Sequence, residues 1–204
     1  MLFRSETPLV LVTKKDKYKN FEDFAKKIKT VDYIKSGVLS IGAPTHLAAL
    51  EVGDLLKIKV SPILYTSQSQ VIIDTANDLL DYSFAPLASA LPLIEGNKVD
   101  ALMIYSEEKS TLLPNVEISR KYNIEPTVPF LTWILVNSSM SNAAKEKIKS
   151  ITHKIKQNKD IQNKIIQTGS KIYKDMSDDE LKNFINTSIL KYNAIVERHG
   201  LVIQ

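Results

Sequence analysis

Apolar residues recur along this chain in two rhythms, short unbroken runs and helically spaced sets, which alternate from residue 7 to residue 106. Unbroken β-branched-rich runs predict buried strands, and spacing at i, i+3, i+4 predicts amphipathic helices. "TPLVLVT" (7–13), bounded by Pro8 and the polar "KKDK", reads as the first strand. A helix follows, with Asn20 as candidate N-cap and Phe21, Phe24, Ala25 and Ile28 on one face. "GVLSIG" (37–42), "VSPILYT" (60–66), "YSFAP" (82–86) and "VDALMIYS" (99–106) read as further strands. Helices are predicted over 46–58, 69–80 and 87–97, the last ending near Gly96. Strand alternating with helix through short loops predicts an α/β unit built on a parallel sheet.

The rhythm breaks at Glu107. Residues 107–130 hold three prolines and no long periodicity, which predicts loop with one short helix. "LTWILVN" (131–137) reads as another strand. Two lysine-rich helices are predicted after it. One covers 141–168 with an interruption near Asn158, and the other covers 177–199, opened by the capping box Ser177–Glu180.

Composition adds limits. The 204 residues are 44% hydrophobic and 25% charged, the profile of an ordinary globular protein. No apolar run approaches the ~20 residues that span a bilayer, and the run "PLVLV" is too short for an export signal within the chain as given. There is no cysteine, which excludes disulfides and thiolate chemistry. The formal charge is +4, but the lysines of "KEKIKSITHKIKQNKDIQNKIIQ" surround an isoleucine stripe. That is a solvated amphipathic face rather than a nucleic-acid patch.

Candidate chemistry concentrates in "LSIGAPTHLAALEVGDLL" (39–56), a strand, a small-residue turn and a helix. Such a joint can offer the N–H groups of Ala43 and Thr45, the Thr45 hydroxyl and a helix N-terminus to an anion. The plain alternative makes Thr45 an N-cap and Pro44 a turn-setter. His46 has no serine, cysteine or paired carboxylate at a recognised spacing, and His153 and His199 fall on solvated helices. Asp74 and Asp78 share a helical face without a third ligand, so no metal is predicted. Trp133 reads as core or hinge packing.

The order of segments resembles that of the substrate-binding receptors of tripartite tricarboxylate transporters, the Bug family of periplasmic solute receptors. The stretches that carry the resemblance are "YKNFEDFAKKIK" (18–29), "GVLSIGAPTHLAALEV" (37–52), the run from Tyr65 to residue 104, "KSTLLPNVEISRKYNI" (109–124) and "TW" (132–133). Within the long run, Tyr65, Asp74, Asp81, Phe84, the "ALP" at 90–92 and Gly96 fall in register with the family. The resemblance implies a type II periplasmic-binding-protein-like α/β fold, with one near-complete lobe over 13–132. Residues 1–12 and 133–204, with a helical C-terminal region, would form part of the other lobe, whose N-terminal segment has no counterpart here. It further implies that Gly42, Ala43, Thr45, His46, Tyr65, Thr66, Ser83 and Phe84 contact a small di- or tricarboxylate or acidic amino acid. By the same resemblance the bound form is handed to a membrane permease, without cofactor, metal or nucleic acid.

This chain departs from the family where the family grips its ligand. The Gly/Ser-rich loop has shrunk to "GAPTHL", Thr66–Ser67 replace a Lys–Gly pair, and Ala85 replaces an aspartate. Two further readings therefore stand beside the receptor: a remnant that binds nothing, and a small α/β enzyme with His46 as base. An incomplete second lobe would expose an apolar face, so self-association is expected. The family is periplasmic; without an export signal, a chain starting at Met1 would be cytoplasmic.

Overall fold

The computed structural model describes residues 4–127, 130–173 and 176–202. Two sheets organise them. The larger holds β2 (Leu9–Lys14), β3 (Tyr33–Val38), β4 (Lys59–Leu64), β5 (Tyr82–Pro86) and β6 (Val99–Tyr105), in the order β4-β3-β5-β2-β6. The smaller has the order β7-β1-β8, built from β1 (Arg4–Thr7), β7 (Phe130–Trp133) and β8 (Lys171–Ile172). The helices are α1 (Phe21–Ile28), α2 (Pro44–Leu56), α3 (Gln68–Ala76), α4 (Leu87–Glu95), α5 (Asn142–Gln157), α6 (Lys159–Gln167) and α7 (Asp178–Arg198). A 3-10 turn, Ser119–Tyr122, sits in the connection after β6.

The large sheet is covered on both faces, as its near-continuous apolar strands require. On β5, Tyr82 and Phe84 point into a core with Phe21 and Phe24 of α1 and Leu47, Ala48 and Val52 of α2. Their neighbour Ala85 points the other way, against Ile72 of α3 and Leu87 and Ala90 of α4. Four aromatic rings continue one another across the first face, Phe24–Tyr82, Tyr82–Phe84 and Phe84–Tyr105 lying 5.6, 6.3 and 5.8 Å apart. Pro62 lies in β4, an edge strand, where a missing backbone donor costs least.

The sheet is mixed, not parallel. β3 runs parallel to β4 and β5, but β2 runs antiparallel to both β5 and β6. The cause is the route of the chain: it enters the large sheet from β1 and leaves it from β6 toward β7, so strands at the two crossings must run oppositely. Pro8 separates β1 from β2, and its carbonyl accepts the first amide of α4, Leu87 N–H, at 2.9 Å. The sheets thus part at Pro8 and between Tyr105 and Phe130, displaced from the expected boundaries at 13 and 132.

Other differences are local. The second strand covers Tyr33–Val38, not 37–42, because Tyr33 to Val38 pair in register with Lys59 to Leu64 while residues after Val38 turn. Of the apolar run 131–137 only Leu131–Trp133 pair, with Phe130 before them, and Leu135 is 74% exposed. The short strands β1 and β8 carried no run that sequence could detect. The break at Asn158 is real: that side chain accepts from the amides of Asp160 and Ile161 and restarts the helix as α6. The capping box at Ser177 and Glu180 is formed as expected.

Candidate ligand-binding site

The C-terminal ends of β3, β4, β5 and β6 lie at one edge of the large sheet, and α2, α3 and α4 all begin there. Leu9, the first residue of β2, pairs with Pro86 and Tyr105, so the small sheet stands over this same edge. An open α/β sheet binds ligands outside the carboxyl ends of its strands, where the loops and helix N-termini converge. The three helices share a local chemistry. Their N-cap residues Ala43, Ser67 and Pro86 make no side-chain cap bond, and none of the three has an acidic residue in its first turn. Alanine and proline lack a side-chain acceptor; Ser67 has one and leaves it exposed. The positive ends of three short dipoles therefore face the space below the small sheet without a carboxylate of the same helix to offset them.

The corner between β3 and α2 is tighter than expected. Gly42 sits at φ +80°, a left-handed conformation that glycine adopts without strain. Its N–H donates to Nδ1 of His46 at 3.0 Å, and Ala43 N–H donates to the Ser40 carbonyl at 3.3 Å. Both amides are thus engaged within the loop. Pro44 brings no amide, which leaves those of Thr45 and His46 as the first-turn donors without an intrahelical acceptor. Thr45 is buried, and His46 is 1% exposed. Burial, with a smaller contribution from His199, holds the His46 pKa below its ordinary value. A neutral, enclosed imidazole that accepts a backbone N–H is a staple for the loop. The Nδ1 lone pair that a base would offer is taken by the Gly42 amide.

Of the remaining expected contacts, the Tyr65 hydroxyl donates to Asp74 at 2.8 Å, and its pKa is pushed up to about 12 by burial and by that carboxylate. Thr66 is exposed beside it. Ser83 and Phe84 are fully buried. The Ser83 hydroxyl lies 2.9 Å from that of Thr75, and Phe84 is part of the aromatic core, so neither side chain is presented to a cleft. The alternation of β5 explains this, because both faces of a doubly covered strand are interior. Asp74 also accepts from Gln70, while Asp78 pairs with Lys14 and Lys17, so these two carboxylates do not converge. Trp133 packs 6.0 Å from Phe184. His153 lies within 2.8 Å of Gln157, and His199 pairs with Asp54 at 3.1 Å.

Two grooves adjoin the inter-sheet edge. One, of about 390 Å³, runs between Thr7, Pro8, Tyr105, Thr127, Ser170 and the α7 face at Ser188, with Lys109, Lys171, Lys191, Glu6, Glu107 and Glu108 on its rim. The other, of about 570 Å³, is apolar and runs from Pro44 along Leu131 and Trp133 to Ile185, Ile189 and Tyr192. None of the eight expected contact residues lines either groove; the corner contributes only Pro44. Sequence reading passed over Ser67, Tyr105 and Thr127. A serine directly before the apolar spacing of "QSQVII" was the available signal for Ser67. Among the described residues no group of three or more His, Cys, Asp or Glu could hold a metal ion, and no helix is long and apolar enough to cross a membrane.

A mixed sheet with helices on both faces, crossed twice to a second sheet that overhangs its C-terminal edge, is the plan of a two-lobed solute-binding protein. A family model described as the tripartite tricarboxylate transporter family receptor matches residues 2–201, and the chain belongs to that family. Among solved structures it is similar to the periplasmic binding protein BugD, with a TM-score of 0.89 at 15% identity, over 99% of this chain and 69% of that one. It is also similar to MatC from Rhodopseudomonas palustris with bound malate, with a TM-score of 0.82 at 16% identity, over 96% and 68% of the two chains. An R. palustris protein with adipate gives a TM-score of 0.84 at 13% identity, over 98% and 67%. Each of these structures is about half as long again as this chain, which supplies one α/β lobe and part of a second. No curated protein sequence matches it.

Proposed function

We propose that this protein is a receptor for small organic acids that delivers them to the membrane permease of a tripartite tricarboxylate transporter in the periplasm. The two sheets are then the cores of two lobes that close about their crossings at Pro8 and in the connection 106–127. The observation that carries this reading is the convergence of three helix N-termini, none with a side-chain cap or first-turn acid, on the edge between the sheets. A helix N-terminus contributes about 0.3–1 kcal/mol per favourable charge interaction, more when partly buried. Three of them, with the amides of Thr45 and His46 and the Ser67 hydroxyl, favour a carboxylate. Malate and adipate, found in two of the similar structures, are acids of the class this arrangement suits.

Calorimetry and thermal shift against succinate, malate, adipate, citrate, glutamate and aspartate test it. At least one acid should release heat and raise the melting temperature, and Ala43→Asp, which places a carboxylate at the start of α2, should abolish both. Silence with every acid would favour the remnant that binds nothing.

A further inference from the structure

Of the two charged side chains on α2, Asp54 is exposed and Glu51 is set among apolar residues. Glu51 lies among Ala48, Leu50, Val52 and Leu56, all buried, two turns beyond the corner. Its carboxyl meets the hydroxyl of Tyr105 in a short contact and accepts from the Thr127 hydroxyl at 2.6 Å. The circuit closes on itself, since Thr127 N–H donates to the Tyr105 hydroxyl oxygen at 2.9 Å. Tyr105 is the last residue of β6 and only 3% exposed. Thr127 lies at the far end of the connection that leads into β7. The three residues therefore join the helix bearing the candidate ligand corner to both ends of the second crossing between the sheets, and two of them, Tyr105 and Thr127, line the smaller groove.

We propose that Glu51 is a positioning residue: with Tyr105 and Thr127 it forms a latch that fixes the inter-sheet connection against α2 and so sets how readily the two sheets move relative to each other. This rests on the receptor reading for its purpose, but not for its test. The charged groups facing Glu51 are few. Arg198 of α7 favours the ionised form, Asp54 one turn along α2 opposes it, and Asp54 is itself paired with Arg198 and His199. Burial is the largest influence and raises the Glu51 pKa. Opening the latch returns Glu51 to water and to its ordinary value, so the closed latch holds its proton more firmly. A falling pH therefore favours the closed latch, which loosens as pH rises from the ordinary carboxylate range through the raised value. As the circuit stands, the Tyr105 and Thr127 hydroxyls both donate to the carboxyl; on protonation the carboxyl turns its own O–H to the Tyr105 oxygen while its other oxygen still accepts from Thr127.

Hydrogen exchange of the intact protein without any acid tests this, with rates corrected for the intrinsic effect of pH. In Glu51→Ala the amides of 106–127 and β7 should exchange about tenfold faster, while β3 and β4 keep their protection. Thr127→Val, at a half-buried site and of the same shape, should reproduce that pattern and serves if Glu51→Ala does not fold. Glu51→Gln reproduces the donor and acceptor of the protonated carboxyl, so it should keep the protection while losing its pH dependence. Unchanged exchange in the connection for both disrupting variants, equal loosening of β3 and β4, or Glu51→Gln behaving like Glu51→Ala would overturn the latch. Carboxylate titration of the same variants reports separately on the receptor reading, so either can fail alone.

Discussion

The helices of this protein start in two ways. α1, α5, α6 and α7 each begin at a side chain that caps them: Asn20, Ser141, Asn158 and Ser177 accept from first-turn amides. α2, α3 and α4 begin at Ala43, Ser67 and Pro86, with no such bond. The division follows topology. α1 comes after β2, which runs opposite to its neighbours, so α1 starts at the far edge of the sheet. The three without caps start at the edge under the small sheet. A side-chain cap takes one or two of the first-turn amides for the helix itself, whereas a helix without one leaves more polarised amides for an anion to satisfy. The difference separates helices that serve the scaffold from helices available to a site.

Substitutions that break or sharpen this contrast differ in size. The largest effect should come from Phe84→Ala. Assigned to the ligand by resemblance but buried as scaffold, Phe84 should cost about 3–5 kcal/mol of stability in denaturant unfolding. A loss of acid binding in a protein of unchanged stability would return it to the site. Next, Ser177→Ala should cost about 1 kcal/mol, because it removes a working capping box. Ser67→Ala, by contrast, should change stability by less than about 0.5 kcal/mol. Equal costs for the two serines would erase the distinction.

Ser67→Asp should act in two directions at once. It gives α3 the anionic cap it lacks, which should add about 0.3–1 kcal/mol of stability, and it should weaken carboxylate binding by occupying the same amides. Both readouts come from one thermal-shift series with and without ligand. The smallest effect is that of His46. Its pKa is depressed in the fold, so its neutral form contributes stability that is present above the ordinary histidine value and lost as pH falls through the depressed one. Urea unfolding from pH 7.5 downward should show this loss, and His46→Leu should flatten that part of the profile.

How much was legible in sequence follows from how local each cause is. Helix-forming spacing and caps act within a few residues, so Asn20, Asn158 and the Ser177–Glu180 box could be read directly. β2, β5 and β6 appear as apolar runs because both faces of the sheet are buried there, whereas β3, "YIKSGV", carries no such run and reads too late in the chain. The direction of β2 could not be read, since apolar content is the same whichever way a strand runs. β1 and β8 are too short and too polar to stand out. Among the candidate contacts, Gly42 and Thr45 could be read as lying at a corner, but no local pattern shows that the Gly42 amide is already taken by His46, or that Ser83 faces Thr75.

The chain by itself determined its main helices, the caps at Asn20, Asn158 and Ser177 and the apolar surface of α2, because propensity, capping and periodicity act over neighbouring residues. Only the tertiary structure decided which amides are spent and which remain, that three helices start at one edge, and that Glu51 meets Tyr105 and Thr127 across 54 and 76 residues of chain. Those outcomes depend on packing between distant segments, where a hydrogen bond and the burial around it are set by neighbours that sequence order does not record.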